Sequence, residues 1–184
     1  MTALSVRERV TSAVAALALC AAVASRGEAA TLDIPTPYIP STPLNVDEML
    51  RLADVRASDL VYDLGSGDGR VVIAAARDWG ARGVGIEIDG KLVAESRELA
   101  RRAGVSERAS FREGDVFAAN ISEATVVTMY LLSGLVNRLQ SKLLAELKPG
   151  TRIVSHAFDM GDWKPEKTET VDGRTIYYWT IPKK

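Results

Sequence analysis

The 184-residue chain has one cysteine, Cys20, and one histidine, His156. A lone cysteine excludes an internal disulfide and a cysteine-ligated zinc site. One histidine among scattered carboxylates supplies no ligand cluster, so no metal site is expected. An excess of either charge is missing too, since 23 Lys and Arg face 24 Asp and Glu, a formal net charge of −1. That balance argues against a nucleic-acid partner, which usually selects a basic excess or stripe. A single long uncharged run excludes a multi-pass membrane protein. Disorder is excluded in turn by a hydrophobic content of 47%. The sequence has no internal repeat, no twin-arginine pair and no nucleophile elbow for a Ser-His-Asp arrangement.

The uncharged run lies at the start. Arg7, Glu8 and Arg9 precede it, Val10 to Ser25 carries no charge, and small residues follow at Ala22-Val23-Ala24 and Gly27-Glu28-Ala29. A positive start, a short apolar stretch and a small-residue exit form a secretory signal pattern. Sixteen helical residues would span about 24 Å, short of the roughly 30 Å hydrocarbon core. Residues 1–30 are therefore expected to be a signal peptide or a membrane anchor, placing the domain in an exported, periplasmic or membrane-anchored setting. A cytosolic location stays open. The remainder is mildly acidic and contains no cysteine.

Residues 31–43 hold Pro35, Pro37, Pro40 and Pro43 without periodicity and read as an extended arm. Residues 44–184 alternate between strand and helix signals. Ser41 or Thr42 caps a first helix bearing Val46, Met49 and Leu50. The strands are expected at Leu60–Asp63, Gly83–Ile88, Ala109–Arg112, Ala124–Leu132 and Arg152–Ala157. Further helices are expected over Val71–Trp79, Lys91–Ala103 and Leu135–Leu147. Leu92, Ser96, Leu99 and Ala103 form one side of the Lys91–Ala103 helix. Lys167–Val171 and Arg174–Ile181 flank Asp172-Gly173, a strong hairpin signal. The fold class is α/β: a Rossmann-like, doubly wound, mostly parallel seven-stranded sheet with a C-terminal antiparallel hairpin.

In such a sheet, ligands bind beyond the carboxyl ends of the strands. The first strand ends in Asp63-Leu64-Gly65-Ser66-Gly67-Asp68-Gly69, and Glu87 follows Gly65 by 22 residues. Alternate glycines allow a tight turn and close approach of backbone to a ligand. The carboxylate at that distance suits ribose hydroxyls. A dinucleotide fingerprint would read G-x-G-x-x-G; this loop reads D-x-G-x-G-x-G, with acids at Asp63 and Asp68. Acids cradle a phosphate poorly, but they suit a cofactor with a sulfonium and an amino-acid end, as in S-adenosylmethionine.

Here the sequence resembles the class I S-adenosylmethionine-dependent methyltransferases, through VYDLGSGDGR (61–70) and GIEID (85–89). The resemblance implies that Gly65, Ser66, Gly67, Asp68 and Gly69 lie beneath the methionine part and that Glu87 binds the ribose. Asp115 falls where such enzymes place an adenine contact, or else it is a solvated turn residue. A narrower resemblance covers Pro37 to the C-terminus through PYIPSTP (37–43), TMYLL (128–132) and SHAFDMGDW (155–163). These segments look like the small protein-lysine methyltransferases of the ATP synthase c-subunit and adenine nucleotide translocase type, with their bacterial relatives. That group implies lysine N-methylation of a protein substrate, with membrane proteins among the candidates. The alternatives are a small-molecule acceptor or a non-catalytic cofactor-binding module.

Methyl transfer to an amine needs alignment, exclusion of water and removal of the ammonium proton. The acidic or asparagine residue followed by two prolines and an aromatic, common after the fourth strand in amine methyltransferases, is absent; Thr128-Met129-Tyr130-Leu131 stands there. Tyr130 offers an aromatic wall and a hydroxyl, or is a core strand residue. His156 can accept a proton near neutral pH, or is structural. Asp159 and Asp162 can attract a cationic lysine, or are loop carboxylates. Trp163 lines the entrance or covers the sheet edge. Tyr38 on the arm is expected to fold over the cofactor, unless the arm is only a linker.

Overall fold

The computed structural model describes residues 39–183. The segment 1–30, most of the 31–43 arm and Tyr38 lie outside the described residues. Among those described, four helices and seven strands alternate. They are α1 (Pro43–Leu52), β1 (Leu60–Leu64), α2 (Arg70–Asp78), β2 (Arg82–Glu87), α3 (Gly90–Arg102), β3 (Ala109–Glu113) and β4 (Val126–Met129). Then come α4 (Ser133–Glu146), β5 (Arg152–His156), β6 (Lys167–Val171) and β7 (Arg174–Thr180). The strands form one sheet in the order β3-β2-β1-β4-β5-β7-β6. Pairings from β3 through β5 are parallel, whereas β7 runs antiparallel to both β5 and β6. The order reverses between β1 and β4, so a crevice forms beyond their carboxyl ends.

Local sequence explains the elements. Thr42 caps α1 by accepting from the Asn45 amide at 3.3 Å, and Pro43 occupies the first turn, where its missing N–H costs nothing. Val46, Met49 and Leu50 turn inward from that helix. Each such fully buried side chain contributes about 1.5–3 kcal/mol. Val126, Val127, Thr128 and Met129 are all buried, as a strand covered on both faces requires. Asp172 and Gly173 have φ of 52° and 70°, the positive pair that a tight hairpin of right-handed twist demands.

Two expectations are corrected. The apolar run Ala124–Leu132 contributes only Val126–Met129 to the sheet, and Leu132 is 45% exposed. Hydrophobicity could not mark the point at which the chain leaves the sheet at the reversal. In α3 the buried stripe is Val93, Ser96 and Ala100 rather than Leu92, Ser96, Leu99 and Ala103. Leu99 and Ala103 pack at its edge, so the helix is rotated by part of a turn.

The glycine loop sits on β3 through one ring. A Cβ at Gly69 would come within 2.4 Å of the Phe111 ring, and one at Gly85 within 2.6 Å of the same ring and 2.5 Å of Ser66 Oγ. Both are far inside van der Waals contact, so these positions accept no side chain without movement.

Candidate active site

β1 delivers the loop to the reversal point. Asp63 is buried there, its Oδ1 accepting from Thr128 Oγ1 of β4 at 2.7 Å. Gly65, Gly67 and Gly69 have φ of 76°, 53° and 79°, in the left-handed region that glycine adopts without strain. A Cβ at Gly65 would lie 2.6 Å from Leu131 Cδ2. Other elements hold the loop in place. The Gly65 and Ser66 amides donate to the Ile86 carbonyl at 2.9 and 3.0 Å, and Ser96 Oγ of α3 donates to the Gly67 carbonyl at 2.9 Å. Glu87 completes the cradle at the end of β2. Its Oε2 accepts from the Gly67 amide at 2.9 Å, and its Oε1 accepts from the Ile88 and Asp89 amides at 2.9 and 3.1 Å.

The cradle holds three carboxylates, of which Asp68 is paired with the Arg70 guanidinium at 2.6 Å. Burial pushes the Asp63 carboxyl up to about 7, outweighing the Thr128 hydrogen bond, with Glu87 and Asp68 adding like-charge repulsion. Ser66 Oγ is buried with no hydrogen-bond partner among the described residues. These features fit S-adenosylmethionine. The carboxylates suit a cationic sulfonium and ammonium, and glycines at 65, 67 and 69 bare the backbone for close approach. A pyrophosphate would meet repulsion.

A second cluster lies beyond β4 and β5. His156 ends β5 and is 2% exposed. Its ring packs on Tyr130 with centroids 4.1 Å apart, and Phe158 stacks on Tyr130 at 6.3 Å. A tight turn builds this group of rings. Ala157 takes a φ of 68°, strained for a residue with a Cβ, and Ser155 Oγ donates to the Phe158 carbonyl at 2.6 Å. Burial, helped by the nearby Arg174 cation, lowers the His156 pKa to about 4, so the imidazole is neutral across the physiological range.

The residues expected from sequence are thus partly assembled. The loop and Glu87 share one cradle, and Tyr130 and His156 meet. Asp115 is exposed and caps its own turn, accepting from the Phe117 amide at 2.9 Å. Asp159 is also exposed, accepting from the Gly161 amide at 3.2 Å. Asp162 is exposed, and Trp163 packs on Trp179, whose Nε1 donates to the Trp163 carbonyl at 2.7 Å. Trp163 therefore covers the core. Sequence reasoning missed Thr128, Ser96 and Phe158. The SHAF segment carried a signal for Phe158; the two hydroxyls act across long sequence separations, and no signal named their partners.

Residues 63–167 match the ANTKMT methyltransferase domain. The chain belongs to that family. It is 43% identical over 150 residues to a protein-lysine N-methyltransferase of Saccharolobus islandicus, covering 79% of this chain and 93% of the relative. The mouse lysine N-methyltransferase of the ATP synthase c-subunit is 36% identical over 132 residues, 72% of this chain but only 53% of the mouse protein. Among solved structures, one described as an RNA methyltransferase from Salinibacter ruber with S-adenosyl-L-homocysteine matches with 55% identity and a TM-score of 0.78. The match covers 79% of this chain and 95% of that one. The protein is an S-adenosylmethionine-dependent methyltransferase with the Rossmann-like fold read from its sequence.

Proposed function

We propose that this methyltransferase modifies the side-chain amine of lysine in a protein, and that a membrane protein is among its acceptors. The observation that carries the reading is the 43% identity to a protein-lysine N-methyltransferase across 93% of that relative's length. The site chemistry supports it. A neutral imidazole and a phenol stacked beside the cofactor cradle offer hydrogen-bond acceptors to an amine and π-faces to a cation.

S-adenosylmethionine supplies an electrophilic methyl group on a sulfonium. The loop from Gly65 to Gly69 would hold its methionine part, with Glu87 on the ribose, Asp63 contributing negative potential and Asp68 held in the loop by Arg70. Asp115 and Tyr38 stand as further cofactor contacts in this reading. His156 and Tyr130 orient the incoming amine for in-line approach and shield it from water. An imidazole whose pKa is about 4 holds a proton weakly, so its service is to accept an N–H bond, with the released proton passing to solvent. Asp159, exposed nearby in the chain, adds negative potential for a lysine arriving at the entrance.

The Salinibacter ruber relative described as an RNA methyltransferase supports a rival acceptor. The net charge of −1 weighs against it, because phosphate contacts dominate RNA affinity. Full-length protein with tritiated S-adenosylmethionine, a bacterial membrane-protein fraction and total RNA separates the two. N-methyllysine in the acid hydrolysate is expected; label confined to RNA or to small molecules overturns the reading. The signal-like residues 1–30 support an exported or membrane-anchored protein, tested by fractionation with N-terminal sequencing. A mature chain beginning near Thr31 in the periplasm would support cleavage and export, and an intact chain in the soluble cytosolic fraction would refute both settings.

A further inference from the structure

Two segments far apart in sequence meet at Ser41. Its side chain is 5% exposed, and its Oγ lies 2.8 Å from His156 Nδ1, across 115 positions of sequence. Its carbonyl accepts from Arg70 Nη1 at 2.6 Å. That guanidinium forks onto Asp68 of the glycine loop, with Nε at 2.9 Å and Nη2 at 2.6 Å. On the other side, Ser41 precedes the Thr42 cap of α1, so its backbone is fixed from both directions. The opposite ring nitrogen, His156 Nε2, is buried and has no partner among the described residues.

A neutral imidazole bears one proton, and the group on Nδ1 decides where it sits. A lysine ammonium has only donors, and a neutral amine must keep its lone pair for the methyl group. Either one can therefore meet Nε2 only where that nitrogen offers a lone pair. Nδ1 must then carry the hydrogen and needs an acceptor. Ser41 Oγ is placed to be one.

We propose that Ser41 is a positioning residue of the methyl-transfer site: its hydroxyl accepts the Nδ1–H of His156 and holds the tautomer whose Nε2 lone pair receives the acceptor amine. Arg70 ties the same residue to Asp68, so the setting of the imidazole and that of the cofactor loop share one anchor. This inference rests on the lysine reading for what Nε2 receives, but the tautomer is measurable without any acceptor.

The chain's single histidine makes that measurement unambiguous, because a long-range 1H–15N spectrum of the full-length protein holds one imidazole. With S-adenosylhomocysteine as the bound probe at pH 7.5, the wild type is expected to show the Nδ1–H tautomer. Ser41→Ala is expected to give the other tautomer or a mixture. It should also slow N-methyllysine formation in the membrane-protein fraction by about tenfold or more, the equivalent of one lost hydrogen bond. Its S-adenosylhomocysteine affinity should stay within about twofold by calorimetry, because the carbonyl that Arg70 grips is unchanged. Ser41→Thr keeps the hydroxyl and should restore the tautomer and most of the rate, which a purely packing role would not predict. An Nε2–H tautomer in the wild type overturns the proposal, as does Ser41→Ala with wild-type tautomer and rate. A wild type that shows the expected tautomer and loses it in Ser41→Ala, yet methylates RNA and no protein, refutes the lysine reading and upholds the positioning role.

Discussion

Replacing Asp63 with asparagine should make the protein more stable and less able to bind its cofactor. The carboxyl is buried at the end of β1 and its pKa stands at about 7 against an ordinary 3.8. In the unfolded chain it ionises near 4; in the folded protein it keeps its proton until about 7. Between those values folding is linked to proton uptake, so stability falls as pH rises, and above about 7 the whole loss is present. At 1.36 kcal/mol per unit the loss is at most about 4 kcal/mol. Asparagine has the same shape, can still accept from Thr128 Oγ1, and carries no charge to desolvate. Its advantage over the wild type should therefore grow by about 2–3 kcal/mol between pH 5 and pH 8. At roughly 2–4 °C per kcal/mol for a chain of this size, the growth in the melting-temperature gap is about 4–12 °C. Both proteins share His156, so its own titration cancels in the difference. Differential scanning calorimetry at several pH values, with S-adenosylhomocysteine titrations alongside, reads both effects. A variant less stable than the wild type at pH 8, or a gap that stays flat across this range, would refute the electrostatic account of the loop.

Three further outcomes follow from other contacts. His156 titrates in the opposite sense: its lowered folded pKa means stability is present above about 6.5 and lost as pH falls toward 4, by up to about 3 kcal/mol, so His156→Gln should flatten the acid limb of a chemical-denaturation profile. Gly69→Ala combines a φ of 79° with a Cβ 2.4 Å from the Phe111 ring, and thermal melting should show a loss of about 2–5 kcal/mol. Glu87→Ala removes the acceptor of the Gly67, Ile88 and Asp89 amides, and calorimetry should show S-adenosylhomocysteine affinity down by at least about tenfold.

Much of this site was legible because its signals are local. Asp63 to Gly69 covers the end of β1 and the turn after it, and Glu87 follows from the regular length of a strand–helix–strand unit, so a short window of sequence contains the cradle. The Asp172-Gly173 hairpin was legible for the same reason, since two adjacent positive φ values need those residue types. The supports were not. Thr128 reaches Asp63 across 65 positions, Ser96 reaches Gly67 across 29, and Ser41 reaches His156 across 115. Periodicity marked Ser96 as inward-facing and the apolar run enclosed Thr128, but neither signal names the partner that a buried hydroxyl meets on a distant element. The end of β4 was hidden by the opposite problem. Tyr130 and Leu131 continue the apolar run, yet they lie outside the strand, Tyr130 packed on His156 and Leu131 against Gly65.

Phe111 gives the fold a spacer. With Gly69 and Gly85 both packed against its ring, Phe111 fills the space between the glycine loop and β2. The two glycines leave the room that ring occupies, which makes the three residues one mechanical part although no two are sequence neighbours. Trimming Phe111 to leucine would lower or loosen the loop without altering one atom of the residues that face the cofactor. A change of affinity could thus arise from beneath the site, and a survey confined to the lining residues would miss its origin.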